Sequence, residues 1–90
     1  MAAEFDPKKN ATNLRKHEVS LSEGDGVLND PLALTIEDAS AEGEQRFVTL
    51  GTNTFAELMV VVWTDRGDDV RVISARRATA KERRDYEEGV

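Results

Sequence analysis

Apolar residues change their spacing at Pro31. Ahead of it the chain is polar and carries helix-start signals; beyond it apolar positions recur at every second residue, the period of a strand. Asp6-Pro7 opens the first helix, with Asp6 free to accept from backbone N–H groups and Pro7 suited to the first helical position, and polar residues continue to His17. The first helix is therefore expected over Pro7 to His17. Ser20 and Glu23 in "SLSE" have capping-box spacing and start a short second helix running to about Leu28, weakened by Gly24 and Gly26. "NDP" at Asn29 to Pro31 closes it, because the residue before proline avoids the helical region. "LALTIE" (Leu32 to Glu37), "RFVTLG" (Arg46 to Gly51) and "VRVISAR" (Val70 to Arg76) alternate, and "ELMVVVWTD" (Glu57 to Asp65) is a β-branched apolar run. These predict four strands in an antiparallel meander, with a loop at Asp38 to Glu44, a turn at Gly51 to Phe55 and a hairpin at Asp65 to Asp69. "TAKE" (Thr79 to Glu82) repeats the capping box and opens a last helix to about Glu88, stopped by Gly89. A short leading strand at Ala2 to Phe5 would make the strands five.

The run Leu58 to Trp63 is apolar at successive residues, which predicts a central strand covered on both faces, one of them by the first two helices. Strict alternation in the last strand sets Val70, Val72, Ser74 and Arg76 on one face and Arg71, Ile73, Ala75 and Arg77 on the other, so its end carries guanidinium groups toward both.

Composition narrows the function classes. Ninety residues, 39% of them hydrophobic, make one small domain. The absence of cysteine removes disulfides, thiolate metal sites and cysteine nucleophiles, and a single histidine argues against a histidine metal cluster, so no cofactor is expected. No apolar run approaches the ~20 residues of a membrane span and no signal-peptide pattern opens the chain, which reads as cytoplasmic. The net charge of −6 is unevenly spread. Lys8 to His17 carries four cations and no acid, Glu18 to Asp69 holds twelve acids against Arg46 and Arg66, and Arg71 to Arg84 sums to +5. Two basic segments bracket an acidic middle, and a fold that joins them creates a positive site on a negative body.

"FDPKKNATNLRKHEVS", "NDPLALTIED", "GEQRFVTLG" and "LMVVVWTDRGDDVRVISARRATAKERRDYEEG" together resemble the BrnT family, ribonuclease toxins of type II toxin–antitoxin pairs, from Phe5 to Gly89. The most specific pieces are "FDP" with Lys8, the run Asn13 to His17, Gly43 to Arg46, and "ISARRAT" closing on "ER-x-x-YE". The resemblance implies an α+β, RelE-like fold: a twisted antiparallel sheet of four or five strands with two N-terminal helices and one C-terminal helix. It also implies metal-independent endoribonuclease activity that inhibits translation. The implied partner is a BrnA-like ribbon-helix-helix antitoxin that masks the toxin in a 2:2 complex and represses the shared operon, operator DNA being bound only through the antitoxin. The family's glycine after the histidine is Glu18 here, and its tryptophan near the N-terminus is absent.

Metal-free RNA cleavage needs a base for the 2′-OH, an acid for the departing 5′ oxygen and cations for the charge on phosphorus. His17 is the only side chain whose ordinary pKa lies near neutrality, with Glu44 as the second acid–base candidate. Arg76 and Arg77 are the candidate phosphate forks. Lys16, Arg46 and Arg83 are candidate substrate contacts, and Trp63 a candidate base-stacking platform. Each has a plainer alternative. His17 can cap a helix dipole; Arg76 or Arg77 can pair with Glu82 or the acidic loop; Arg46 can neutralise Glu42 or Glu44; Trp63 can pack in the core; and Lys16 and Arg83 can be solvated helix residues. The rival function is a catalytically silent module whose basic face only holds an antitoxin in a repressor complex.

Overall fold

The computed structural model describes residues 3–38 and 43–89. Strand β1 (Glu4–Phe5) leads into helix α1 (Pro7–His17); a 3-10 turn at Leu21–Glu23 runs into helix α2 (Gly24–Leu28). Strands β2 (Leu34–Glu37), β3 (Phe47–Thr52), β4 (Leu58–Arg66) and β5 (Asp69–Arg77) follow, and helix α3 (Ala80–Glu88) ends the chain. The sheet order is β1-β5-β4-β3-β2. β2 to β5 form the expected antiparallel meander, but β1 pairs with β5 in parallel, Glu4 opposite Arg71 and Phe5 opposite Val72, so the sheet is mixed rather than antiparallel throughout. The reason is local: β5 would otherwise end the sheet with an open row of backbone N–H and C=O groups, and two residues before Asp6-Pro7 suffice to pair the first part of it. Ala2, the expected start of that strand, and residues 39–42 of the Asp38 to Glu44 loop lie outside the described residues.

The punctuation acts as its chemistry requires. The Asp6 side chain accepts from Lys8 N–H at 2.9 Å, and Thr79 and Glu82 form a reciprocal capping box at the start of α3. Gly89 ends α3 at φ 73°, while α1 ends on Glu18 at φ 59°, a left-handed conformation taken without the glycine that favours it.

One face of the sheet is covered by the turn after α1 and by α2. Val19, Leu21 and Val27 pack on Met59, Val61, Val72 and Ala75 in a single cluster, every member 1% exposed or less. Burying each of these valines and leucines contributes ~1.5–3 kcal/mol. Gly24, a poor helix former, is there for contact: a Cβ on it would lie 3.0 Å from Val72 Cγ2 and 3.2 Å from Val61 Cγ1.

The other face is only partly covered, which corrects the expectation drawn from the apolar run of β4. Val60 is 6% exposed there, but Ile36, two strands away, is 69% exposed. α3 has no buried residue and is held by polar clamps: Arg76 with Glu82, and Tyr86 with Asp30.

Strict alternation also fails in β5. Val62 lies opposite Ser74 and Trp63 opposite Val72, which leaves Ile73 as the extra residue of a β-bulge. Val72 and Ala75, expected on opposite faces, therefore both enter the core. Beyond the bulge, Ser74 and Arg76 share the α3 face and Arg77 turns to the helix-packed face, so the two guanidinium groups do leave on opposite sides.

Candidate functional site

The bulge in β5 and the last two turns of α1 enclose a hollow of about 220 Å³ lined by Lys9, Thr12, Asn13, Lys16, His17, Ile73 and Ser74. Thr12 and Asn13 stand three and four residues from both Lys9 and Lys16, so a single stripe of α1 meets the strand. Two lysines, a histidine and two hydroxyl groups converge without a carboxylate, in a chain where acids outnumber lysine and arginine eighteen to twelve. His17 is half-buried and Lys9 and Lys16 are exposed. Arg15, Lys16 and His17 also occupy the last turn of α1, where the helix dipole favours cations, so the plainer reading of His17 coexists with its place in the hollow.

Arg76 stands two residues beyond Ser74 on the same face of β5. Its guanidinium is engaged: Nη1 and Nη2 donate to the two carboxylate oxygens of Glu82 at 2.9 and 2.8 Å, a fork on a fork. Those bonds hold the Glu82 carboxyl down to about 2 against the opposing effect of burial, assisted by the Thr79 N–H, and they push Arg76 further up. Arg77 is looser. Its Nε lies 3.6 Å from Glu57 and its side chain is 56% exposed.

The remaining candidates are dispersed. Glu44 pairs with Arg46 at 3.9 Å and lines a second hollow with Gln45, Thr64, Asp65 and Arg66, so the two proposed acid–base groups, His17 and Glu44, line different hollows. Glu42, the other carboxylate expected beside Arg46, lies outside the described residues. Trp63 stacks on Phe47 with ring centroids 4.7 Å apart and donates its indole N–H to Thr49 Oγ1 at 2.8 Å, which occupies one ring face and the polar edge. Arg83 is exposed on α3. Among the described residues no group of three side chains suited to a metal ion forms.

Asn13 was assigned no role by the sequence. It is 5% exposed, and its amide bonds to the backbone of both Val19 and Ala75. The signals in the chain are its place at the head of the Asn13 to His17 run and in the stripe of α1 that faces the sheet.

Comparison with known proteins identifies the family and the fold. The family model described as "Ribonuclease toxin, BrnT, of type II toxin-antitoxin system" matches residues 5–82. No curated protein matches the chain. Among solved structures, the Brucella abortus ribonuclease toxin BrnT superposes with a TM-score of 0.67 at 22% identity, over 88% of this chain and 97% of that one. At that identity the likeness concerns the fold, and it is the α+β arrangement described above.

Proposed function

Since the chain belongs to the BrnT family of ribonuclease toxins of type II toxin–antitoxin systems, we propose that it is an endoribonuclease that cleaves RNA without a metal ion, at the hollow between α1 and the β5 bulge. The observation that carries this reading is the convergence of Lys9, Lys16 and His17 with the Thr12 and Ser74 hydroxyls, next along the strand to Arg76. A phosphodiester seated there meets cations that offset charge developing on phosphorus, and the His17 imidazole is the side chain of the hollow suited to general acid–base work. In the step proposed, the 2′ oxygen attacks phosphorus, the 2′-OH proton leaves to a base, and the P–O5′ bond breaks as the 5′ oxygen takes up a proton. His17 serves one of those two transfers.

Arg76 can grip a phosphate only after releasing Glu82, whereas Arg77 has a weaker hold on Glu57 to give up. Arg83 and Arg46 then act as outlying contacts to the RNA strand and Trp63 as a support for Phe47 rather than a base platform, as its stacking favours.

The partner proposed is a BrnA-like ribbon-helix-helix antitoxin whose acidic or apolar segment covers these cations. A dimeric partner gives a 2:2 assembly, with operator DNA contacted by the antitoxin alone. The ion pairs of both Arg76 and Arg77 favour a second reading, a catalytically silent module that holds its antitoxin.

The test is incubation of the antitoxin-free protein with single-stranded RNA in EDTA, with and without ribosomes, beside His17→Ala, Arg76→Ala and Arg77→Ala. Cleavage that persists in EDTA and falls ~10²-fold or more in His17→Ala is the expected result. No cleavage under either condition selects the silent module, and cleavage only with added divalent metal removes the metal-independent route.

A further inference from the structure

We infer that Asn13 is the positioning residue of the hollow: its side-chain amide fixes the turn that carries Lys16 and His17 against the strand that carries Ser74 and Arg76. This role presupposes the ribonuclease reading given above.

Strand β5 has two edges. One pairs with β4 along its length, and the other pairs with β1 only at Arg71 and Val72. Beyond Val72 the outer edge would expose unpaired backbone groups inside the molecule, since Ala75 is fully buried. Asn13 takes the place of a further strand there. Its Oδ1 accepts from Ala75 N–H at 3.2 Å and its Nδ2 donates to Ala75 C=O at 2.8 Å, so one carboxamide reproduces both bonds a peptide group would make. The second Nδ2 contact, to Val19 C=O at 2.8 Å, closes the chain reversal that runs through Lys16, His17 and the left-handed Glu18.

The consequence is geometric. Ala75 lies between Ser74 and Arg76, so the amide holds the peptide units on either side of it. Through Val19 it also holds the turn bearing His17. No other natural side chain of this length offers donor and acceptor in one plane: aspartate cannot donate, leucine can do neither, and serine has a single hydroxyl. The bulge at Ile73 sets the outward direction of Ser74, and Asn13 fixes how far α1 stands from it. A displacement on the order of 1 Å between reacting groups can cost ~10²-fold in rate, so a clamp that binds no substrate still governs turnover.

Asn13→Ala and Asn13→Ser in the full-length, antitoxin-free chain test the assignment, both made in an Ala56→Gly background. Ala56 sits at φ 62° in the β3–β4 turn, so glycine there relieves strain without touching the hollow. Two readouts are taken on variants shown by circular dichroism to be folded: kcat and KM on single-stranded RNA, and the His17 imidazole resonances. The expected result is kcat lowered ~10-fold or more with KM changed less than ~3-fold, together with shifted or broadened His17 signals. A folded variant with parental kcat and unmoved His17 resonances overturns the role. If the parent itself fails to cleave RNA, the ribonuclease reading falls and the clamp is judged on the resonances alone. Should both variants unfold, amide exchange of Ala75 in the parent decides: protection matching the β4–β5 core supports the clamp, and exchange as fast as an open edge overturns it.

Discussion

Acidification should free α3 from the sheet before the core unfolds. The helix buries no residue, and two carboxylates hold it: Glu82, gripped by Arg76, and Asp30, which accepts the Tyr86 hydroxyl at 2.7 Å. Both carboxyls titrate below their ordinary range. Glu82 is brought from 4.5 to about 2, chiefly by its hydrogen bonds from Arg76. For Asp30, burial pushes upward but is outweighed by hydrogen bonds from the Thr52 and Leu32 backbone, the Tyr86 hydroxyl and the Thr52 side chain. A carboxyl whose folded pKa is depressed stabilises the fold fully above its unfolded value and loses that contribution as pH falls toward the folded value. For Glu82 the window runs from about 4.5 down to about 2. Arg76 and Glu82 are 38% and 26% exposed, so solvent screens the pair; a bidentate contact in that setting is worth ~1 kcal/mol. Loss of ~1 kcal/mol changes the population of detached helix ~5-fold at 25 °C, visible where the helix is already marginal. The assay follows α3 amide resonances and Trp63 fluorescence through the same acid titration, in the native chain and in Glu82→Gln. Helix signals should move at higher pH than the fluorescence, and Glu82→Gln should show the detached population already at neutral pH with a weaker pH response. Identical titrations of helix and core, or an unaltered profile in Glu82→Gln, would refute the reasoning.

Further outcomes follow from the same contacts. Asn13→Ala should destabilise the fold by ~2–4 kcal/mol in urea denaturation, because three buried hydrogen bonds are lost and the Ala75 and Val19 groups are left unpaired. Tyr86→Phe should cost ~1 kcal/mol by removing the donor to Asp30, with the loss concentrated in hydrogen exchange of α3 rather than of β4. Ala56→Gly, at φ 62° on an exposed turn, should gain ~0.5–1 kcal/mol in thermal denaturation, and a loss there would show that the turn carries no strain. Val61→Ala, at a fully buried position in the central strand, should cost ~2–3 kcal/mol with no change in the pH response of α3.

Local chemistry in the sequence determined the elements of this protein. Asp6-Pro7, "NDP", "TAKE" and Gly89 each act through backbone groups a few residues away, so the first and last helices begin and end where the chain announces them; "SLSE" forms no capping box, Ser20 instead capping a 3-10 turn through Ser22 N–H, and α2 starts only at Gly24. Alternation and the β-branched run likewise marked the four antiparallel strands, and the basic segment Lys8 to His17 pointed to the cations of the hollow. What the chain could not reveal depended on contacts between residues far apart in it. The parallel pairing of β1, the bulge that sends both Val72 and Ala75 inward, and the separation of Glu44 from His17 come from how strands meet, which no local pattern encodes. Alternation alone set Arg76 and Arg77 on opposite faces, but only packing decided that one meets the Glu82 fork and the other Glu57. Asn13 shows the division most plainly. The chain shows it as a polar residue opening the Asn13 to His17 run, and its role arises only where packing brings it to the backbone groups of Ala75, 62 residues away.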